Sequence, residues 1–166
     1  DGILYTQYKM TSDEFFKQNT EKFDIIFVDG LHLCEFFWRD VRNSILSINI
    51  GGYVLVDDIY PIHMDECQRY QISGGWTGDV WKSWYYLILN YNNLNIFNVK
   101  PVLGEKNYYR GTGCIKCEKI IDIGVGTELA LAGATILGAL NPNVHNYFKG
   151  ISNNINIGDN SGIFGG

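Results

Sequence analysis

Two short acidic clusters hold the chemistry this sequence offers. Asp29-Gly30-Leu31-His32 follows the apolar run Phe23 to Val28, and Asp57-Asp58 follows the apolar run Tyr53 to Val56. Three carboxylates and an imidazole brought to one crevice repel one another near neutral pH unless a cation or a proton relieves them. Such a meeting predicts a divalent metal site, and oxygen ligands of this kind suit Mg²⁺ or Ca²⁺ better than Zn²⁺. Each residue also has a plainer use: Asp29 could cap a helix beginning near Cys34, and His32 could be a surface loop residue. The company of Asp57 and Asp58 tips the reading toward a site.

The elements that must position these groups are a strand, a helix and a second strand. Phe23 to Val28 and Tyr53 to Val56 read as strands buried on both faces, as parallel sheets covered by helices require. Between them, from Cys34 to Ile48, the apolar residues Phe37, Val41, Ile45 and Ile48 recur at helical spacing, with Arg39, Asp40, Arg42 and Asn43 on the other face. The Arg39-Asp40 pair is expected to be solvated there. Gly51-Gly52 is expected to end the helical region and turn the chain into the second strand. A right-handed crossover and a parallel sheet follow. In open parallel sheets ligands bind outside the carboxyl ends of the strands, where both acidic clusters fall.

Upstream, Ile3 to Tyr8 is expected to be a strand. Thr11-Ser12-Asp13-Glu14 offers a capping hydroxyl and first-turn acids for a short helix through Phe15 and Phe16. Downstream, Asp79 to Tyr91 places Val80, Trp84, Leu87, Ile88 and Tyr91 on one helical face, so Trp81, Trp84, Tyr85 and Tyr86 read as packing residues. Trp76, in a Gly-rich loop, could instead wall a pocket. Asn95 to Lys100 and Thr112 to Glu118 read as strands of an antiparallel edge pair. His63 and His145 have no evident partners in the sequence.

Composition narrows the classes. The chain has 166 residues, 46% of them apolar, enough for one compact domain. Its 13 Lys and Arg are scattered among 18 Asp and Glu, giving a net charge of -5. That balance argues against a nucleic-acid or membrane-surface partner. With neither a bilayer-length apolar run nor a signal-peptide pattern, a soluble, cytoplasmic protein is expected. Cys34, Cys67, Cys114 and Cys117 suggest no disulfide framework, and the spacing of Cys114 and Cys117 on a strand points them to opposite faces, against a zinc or redox pair. After residue 119 the composition changes, so 1–119 is expected to be an α/β domain and 120–166 a Gly-, Ala- and Asn-rich extension. Within the extension, Leu129 to Leu140 suggests a short buried helix, and Ile157 and Ile163 have the spacing of one β-helix rung.

The runs FDIIFVDGLH and FWRDVRNSILSINIGGYVLVDDIYP, with WTGDVWK at Trp76 to Lys82, resemble the second half of class I S-adenosylmethionine-dependent methyltransferases. The likeness is to the small-molecule and sugar O-methyltransferase group with D-G-x-H after the fourth strand, and spans roughly residues 3 to 118. It implies a Rossmann-like, mostly parallel sheet with flanking helices and O-methylation of a sugar or small-metabolite hydroxyl. From the cation-dependent members it implies Mg²⁺ held by Asp29, Asp57 and Asp58. His32 falls where such enzymes place the general base, with Asp29 beside it, and Thr11, Ser12 and Asp13 fall where the family contacts adenine.

The resemblance also implies a glycine-rich loop and a ribose-binding acid ahead of residue 1, so the domain reads as truncated or permuted. Ile120 to Glu128 supplies a D-x-G-x-G between an apolar run and a helical one. If the chain is permuted, Gly124 and Gly126 would let the backbone approach the methionine part of the cofactor. In Gly-rich sequence the same pattern also arises by chance. The competing expectation is a catalytically inactive half-domain with a structural or assembly role, its sheet edge covered by a partner chain or a second copy. A dehydrogenase-like nucleotide-binding domain is a third.

Overall fold

The computed structural model describes residues 5–72, 74–99 and 110–119. The expectations placed on residues 120–166, namely Gly124, Gly126, the Leu129 to Leu140 helix, the Ile157–Ile163 spacing and His145, lie outside the described residues.

The chain enters its first helix, α1 (Ser12–Gln18), through a reciprocal cap: Thr11 Oγ1 accepts the Glu14 N–H at 3.2 Å while Glu14 Oε2 accepts the Thr11 N–H at 2.8 Å. The expected strand ahead of it is not formed over its described part, residues 5–8. Tyr5 and Tyr8 are exposed and no described strand lies alongside, although the Tyr8 ring leans on Phe15.

Strand β1 (Phe23–Val28), helix α2 (Cys34–Ser47) and strand β2 (Ile48–Val56) form the expected unit, with β1 and β2 parallel. Gly51-Gly52 does not end the helix. α2 stops at Ser47, β2 begins at once, and both glycines lie within the strand. They serve a bulge instead. The pairing steps from Phe23↔Ile48 to Ile25↔Tyr53, leaving residues 49–52 opposite Asp24. Gly51 takes a φ of 90°, and a Cβ on Gly52 would stand 2.7 Å from the Asp24 carbonyl oxygen.

Helix α3 (Val80–Asn90) leads to strands β3 (Asn95–Val99) and β4 (Thr112–Lys116). The sheet order is β1-β2-β4-β3, with β4 antiparallel to both neighbours. The protein is thus α/β. The described sheet is mixed, one parallel pair and two antiparallel, rather than mostly parallel, because the expected β3–β4 hairpin inserts its second strand beside β2.

One core joins α2 and α3 to the sheet through Phe37, Trp38, Val41, Ile45, Trp84 and Leu87 against Val28, Val54, Val56, Ile96 and Ile115. These are the helical faces that the apolar spacing predicts. The expectation that β1 is buried on both faces is not met: only Val28 is buried, while Ile25 is 63% and Phe27 55% exposed. Among the described residues β1 is an edge strand, and no layer covers its outward face. Cys114 and Cys117 are free buried thiols, and only Cys117 joins the main core, so they do part across the sheet. Among the described residues no helix is long and apolar enough to cross a membrane.

Candidate active site

The parallel register pairs Val28 with Val56, so Asp29 and Asp57 leave the two strands side by side, and the Asp57 N–H donates to the Val28 carbonyl at 3.0 Å. The next residue, Asp58, has a φ of 59°, a left-handed turn that Asp tolerates better than most residues. His32 meets it: Nε2 lies 3.1 Å from Asp58 Oδ2 and 3.9 Å from Asp29 Oδ1. The other ring nitrogen, Nδ1, lies 2.8 Å from the Trp76 carbonyl oxygen. A carbonyl can only accept, so Nδ1 carries the hydrogen, and Nε2 faces the two carboxylates. Leu31, Phe37 and Val80 supply apolar wall to the crevice in which these groups meet.

Such a pair at 3.1 Å is stable when it shares a proton, as imidazolium with carboxylate or as imidazole with carboxylic acid. Without that proton a lone pair faces an anion. Burial pushes the Asp58 carboxyl up to about 6, opposed by His32 and Arg110 and assisted by the charges of Asp57 and Asp29. A carboxyl raised in the fold binds its proton more tightly there than in the unfolded chain. Its contribution to stability is therefore full below about pH 4, the unfolded range, and is lost as pH rises to about 6. Asp58→Asn removes that dependence. In chelator-treated buffer at pH 8 the variant is expected to be about 1–3 kcal/mol more stable than the parent, the difference closing as pH falls from 6 to 4. Urea midpoints across that range measure it, and a pH-independent difference contradicts it.

Asp29, His32 and Asp58 bring one ligand atom each within 4.8 Å of one another. Of the expected metal residues Asp29, Asp57 and Asp58, this cluster holds the first and the last, with His32 between them. Asp57 borders the same crevice, but its Oδ1 accepts the Thr112 hydroxyl at 3.4 Å, and the left-handed turn at Asp58 aims the next carboxylate at His32 instead. Two carboxylates, one of them destabilised as an anion by burial, suit a divalent cation that completes its shell with water. The donor set therefore fits Mg²⁺ through Asp29 and Asp58.

Thr11, Ser12 and Asp13 lie at the start of α1, their side chains engaged with neighbours. Thr11 makes the cap, Ser12 hydrogen-bonds Asp40, and the Asp13 carboxylate sits 3.2 Å from Arg39 Nε. Arg39-Asp40 is not the solvated pair expected. Asp40 is buried, its carboxyl raised by burial, and its Oδ2 would stand 3.0 Å from a Cβ on Gly30. α1 thus reaches the crevice through Asp40.

A second polar cluster lies at the start of α2. Asp79 does there what Asp29 was a candidate to do: its Oδ1 accepts the Cys34 N–H at 2.8 Å, capping a helix whose own flanking residue, Leu33, supplies no side-chain bond. Asp79 Oδ2 lies 3.3 Å from Arg69 and 3.2 Å from Lys82. Arg69 also grips Glu35 with both arms, which lowers that carboxyl to about 2. Burial, with Asp79 and Glu35 alongside, pushes the Cys34 thiol up to about 12. With two cations already in place and the thiol protonated, Cys34, Glu35 and Asp79 form a structural network rather than a metal site.

The chain matches no protein-family model, no curated protein and no solved structure. What the site can do follows from its own groups: a desolvated carboxylate, an imidazole of fixed tautomer and a second carboxylate at the ends of adjacent parallel strands. The Asp79 network and Trp76, which places its ring centroid 5.1 Å from that of His32, join residues far apart in sequence. The one local signal for them is Gly78-Asp79 directly before an apolar helical run, a helix-start pattern.

Proposed function

We propose that this chain carries the acceptor side of an S-adenosylmethionine-dependent O-methyltransferase site on a Rossmann-like fold, acting on a hydroxyl of a sugar or small metabolite with Mg²⁺ assistance. The observation that carries the reading is the convergence of Asp29, His32 and Asp58 at the carboxyl ends of β1 and β2. That is where open α/β sheets bind ligands, and the parallel β1-α2-β2 crossover supports the fold assignment.

His32 is the general base. With Nδ1–H held by the Trp76 carbonyl, Nε2 is the nitrogen that takes the hydroxyl proton as the acceptor oxygen gains the methyl group. Asp58 stabilises the imidazolium so formed at 3.1 Å, and the repulsion between the Nε2 lone pair and the carboxylate gives way to attraction once the proton arrives. Asp29 and Asp58 would hold Mg²⁺, which when bound lowers the pKa of the acceptor hydroxyl. S-adenosylmethionine, when bound, supplies the electrophilic sulfonium methyl, and we assign its adenine to Thr11, Ser12 and Asp13 and its methionine end to Gly124 and Gly126. Leu31 walls the acceptor side, and Trp76, packed on the imidazole, orients the base.

A structural or assembly role is the second reading, favoured by the exposed Ile25 and Phe27 on the edge strand. Calorimetric titration of the full chain with S-adenosylmethionine, with and without Mg²⁺, separates the two. Saturable heat that Mg²⁺ and an acceptor sugar enhance supports the enzyme. No heat under any condition leaves the structural role.

A further inference from the structure

The turn formed by residues 76–79 touches His32 from three sides. The Trp76 carbonyl accepts Nδ1–H at 2.8 Å, the Trp76 ring lies against the imidazole with centroids 5.1 Å apart, and the Asp79 N–H donates to the His32 carbonyl at 3.2 Å. This close approach needs Gly78. Its φ is 62°, and a Cβ there would stand 1.7 Å from the His32 carbonyl oxygen and 2.7 Å from the His32 Cβ, inside any tolerable contact. The turn is itself anchored from behind. Thr77 N–H and Gly78 N–H both donate to the Glu66 carbonyl at 3.0 and 3.1 Å, and the Trp76 indole N–H donates to the Gln68 carbonyl at 2.7 Å. The Glu66 carboxylate in turn holds Arg110 at 2.8 Å.

We infer that Trp76 and Gly78 are positioning residues for His32, locking its imidazole in the Nδ1–H tautomer so that Nε2 alone faces Asp29 and Asp58. The inference rests on the reading of His32 as the base. Free histidine side chains favour the opposite tautomer, with hydrogen on Nε2, so the lock has work to do. A base with its hydrogen on Nε2 would present a donor to the acceptor hydroxyl and could not take its proton. Gly78 contributes through space: any larger residue must push the turn away from His32 and withdraw the Trp76 carbonyl from hydrogen-bonding range.

Long-range ¹H–¹⁵N correlation of the imidazoles in the full chain tests this directly, because the protein has three histidines and His32→Gln identifies the signal of interest. The wild type is expected to show His32 as the Nδ1–H tautomer and Gly78→Ala to shift it toward Nε2–H. In the methyl-transfer assay Gly78→Ala is expected to lower kcat about 100-fold with KM for S-adenosylmethionine unchanged. An Nε2–H tautomer in the wild type, or an unchanged spectrum in a folded Gly78→Ala, overturns the inference. Should Gly78→Ala not fold, the wild-type spectrum still decides the tautomer. Trp76→Leu, which keeps the carbonyl and loses the ring, then tests the packing by the expected appearance of a minor Nε2–H population; a pure Nδ1–H spectrum removes Trp76 from the role. The tautomer is read without donor or acceptor, so a locked His32 in a chain that transfers no methyl sinks the enzyme reading alone, and an unlocked His32 in an active chain sinks the lock alone.

Discussion

Asp79→Ala is expected to remove about 2–4 kcal/mol of folding stability, a large share of the margin of an ordinary domain. The Asp79 side chain is 1% exposed, so the Cys34 N–H that it caps has no water to turn to, whereas Arg69 is 39% exposed and keeps its bonds to Glu35. Loss of Asp79 leaves the Cys34 N–H at the start of α2 without an acceptor and strips one carboxylate from Arg69 and Lys82. An unmade buried hydrogen bond thus adds to the loss of a carboxylate shared by two cations, and the first is the larger effect. Asp79→Asn separates them, because its amide oxygen can still cap Cys34 while the charge is gone, so it is expected to fall between the parent and Asp79→Ala. Urea denaturation at constant m-value measures both. An alanine variant within about 1 kcal/mol of the parent would mean that the network is surface decoration.

The same residue shows where sequence reasoning stops. α2 itself is legible, because Phe37, Val41 and Ile45 recur at the helical period and all three are buried. Its cap is not. The sequence offers Asp29 as a nearby carboxylate, whereas the acceptor comes from Asp79, 45 residues beyond Cys34. A cap supplied across the fold leaves no local spacing to read. The α1 cap, made by Thr11 and Glu14 three residues apart, is local and was readable for that reason. Gly51-Gly52 failed differently: two glycines punctuate a turn or a bulge equally well, and only the pairing partner, Asp24, distinguishes them.

The strands follow a similar division. The apolar runs locate β1 and β2, and their parallel pairing follows from the helix between them, but an apolar run says nothing of its place in the sheet. Ile25 and Phe27 look like core residues in sequence and are exposed because no layer among the described residues covers that face of β1. Likewise Asp57 and Asp58 are indistinguishable as letters. The positive φ of Asp58 and the hydroxyl of Thr112 part them, giving one carboxylate to His32 and the other to β4. The chemistry was therefore legible at the level of which strand ends meet, and illegible at the level of which oxygen faces which nitrogen.

If His32 is the base, His32→Gln is expected to lower kcat for methyl transfer about 10²–10⁴-fold, followed as labelled methyl passing from S-adenosylmethionine to a panel of hexoses, deoxyhexoses and catechol. Glutamine approximates the size of imidazole, and the main-chain bond from the Asp79 N–H to the carbonyl of residue 32 does not depend on the side chain, so the turn at 76–79 keeps an anchor. What glutamine cannot do is accept and hold a proton near neutral pH. Binding of S-adenosylmethionine should therefore survive while turnover does not, and the two quantities separate a chemical role from a structural one. Asp29→Asn offers a second contrast. Its carboxylate stands 3.9 Å from Nε2 and on the proposed reading would help to hold the cation, so its loss should weaken the response to Mg²⁺ more than it alters the pH dependence. A His32→Gln protein that turns over like the parent would leave the 3.1 Å contact of His32 with Asp58 as a feature of folding alone, and the crevice between β1 and β2 without a base.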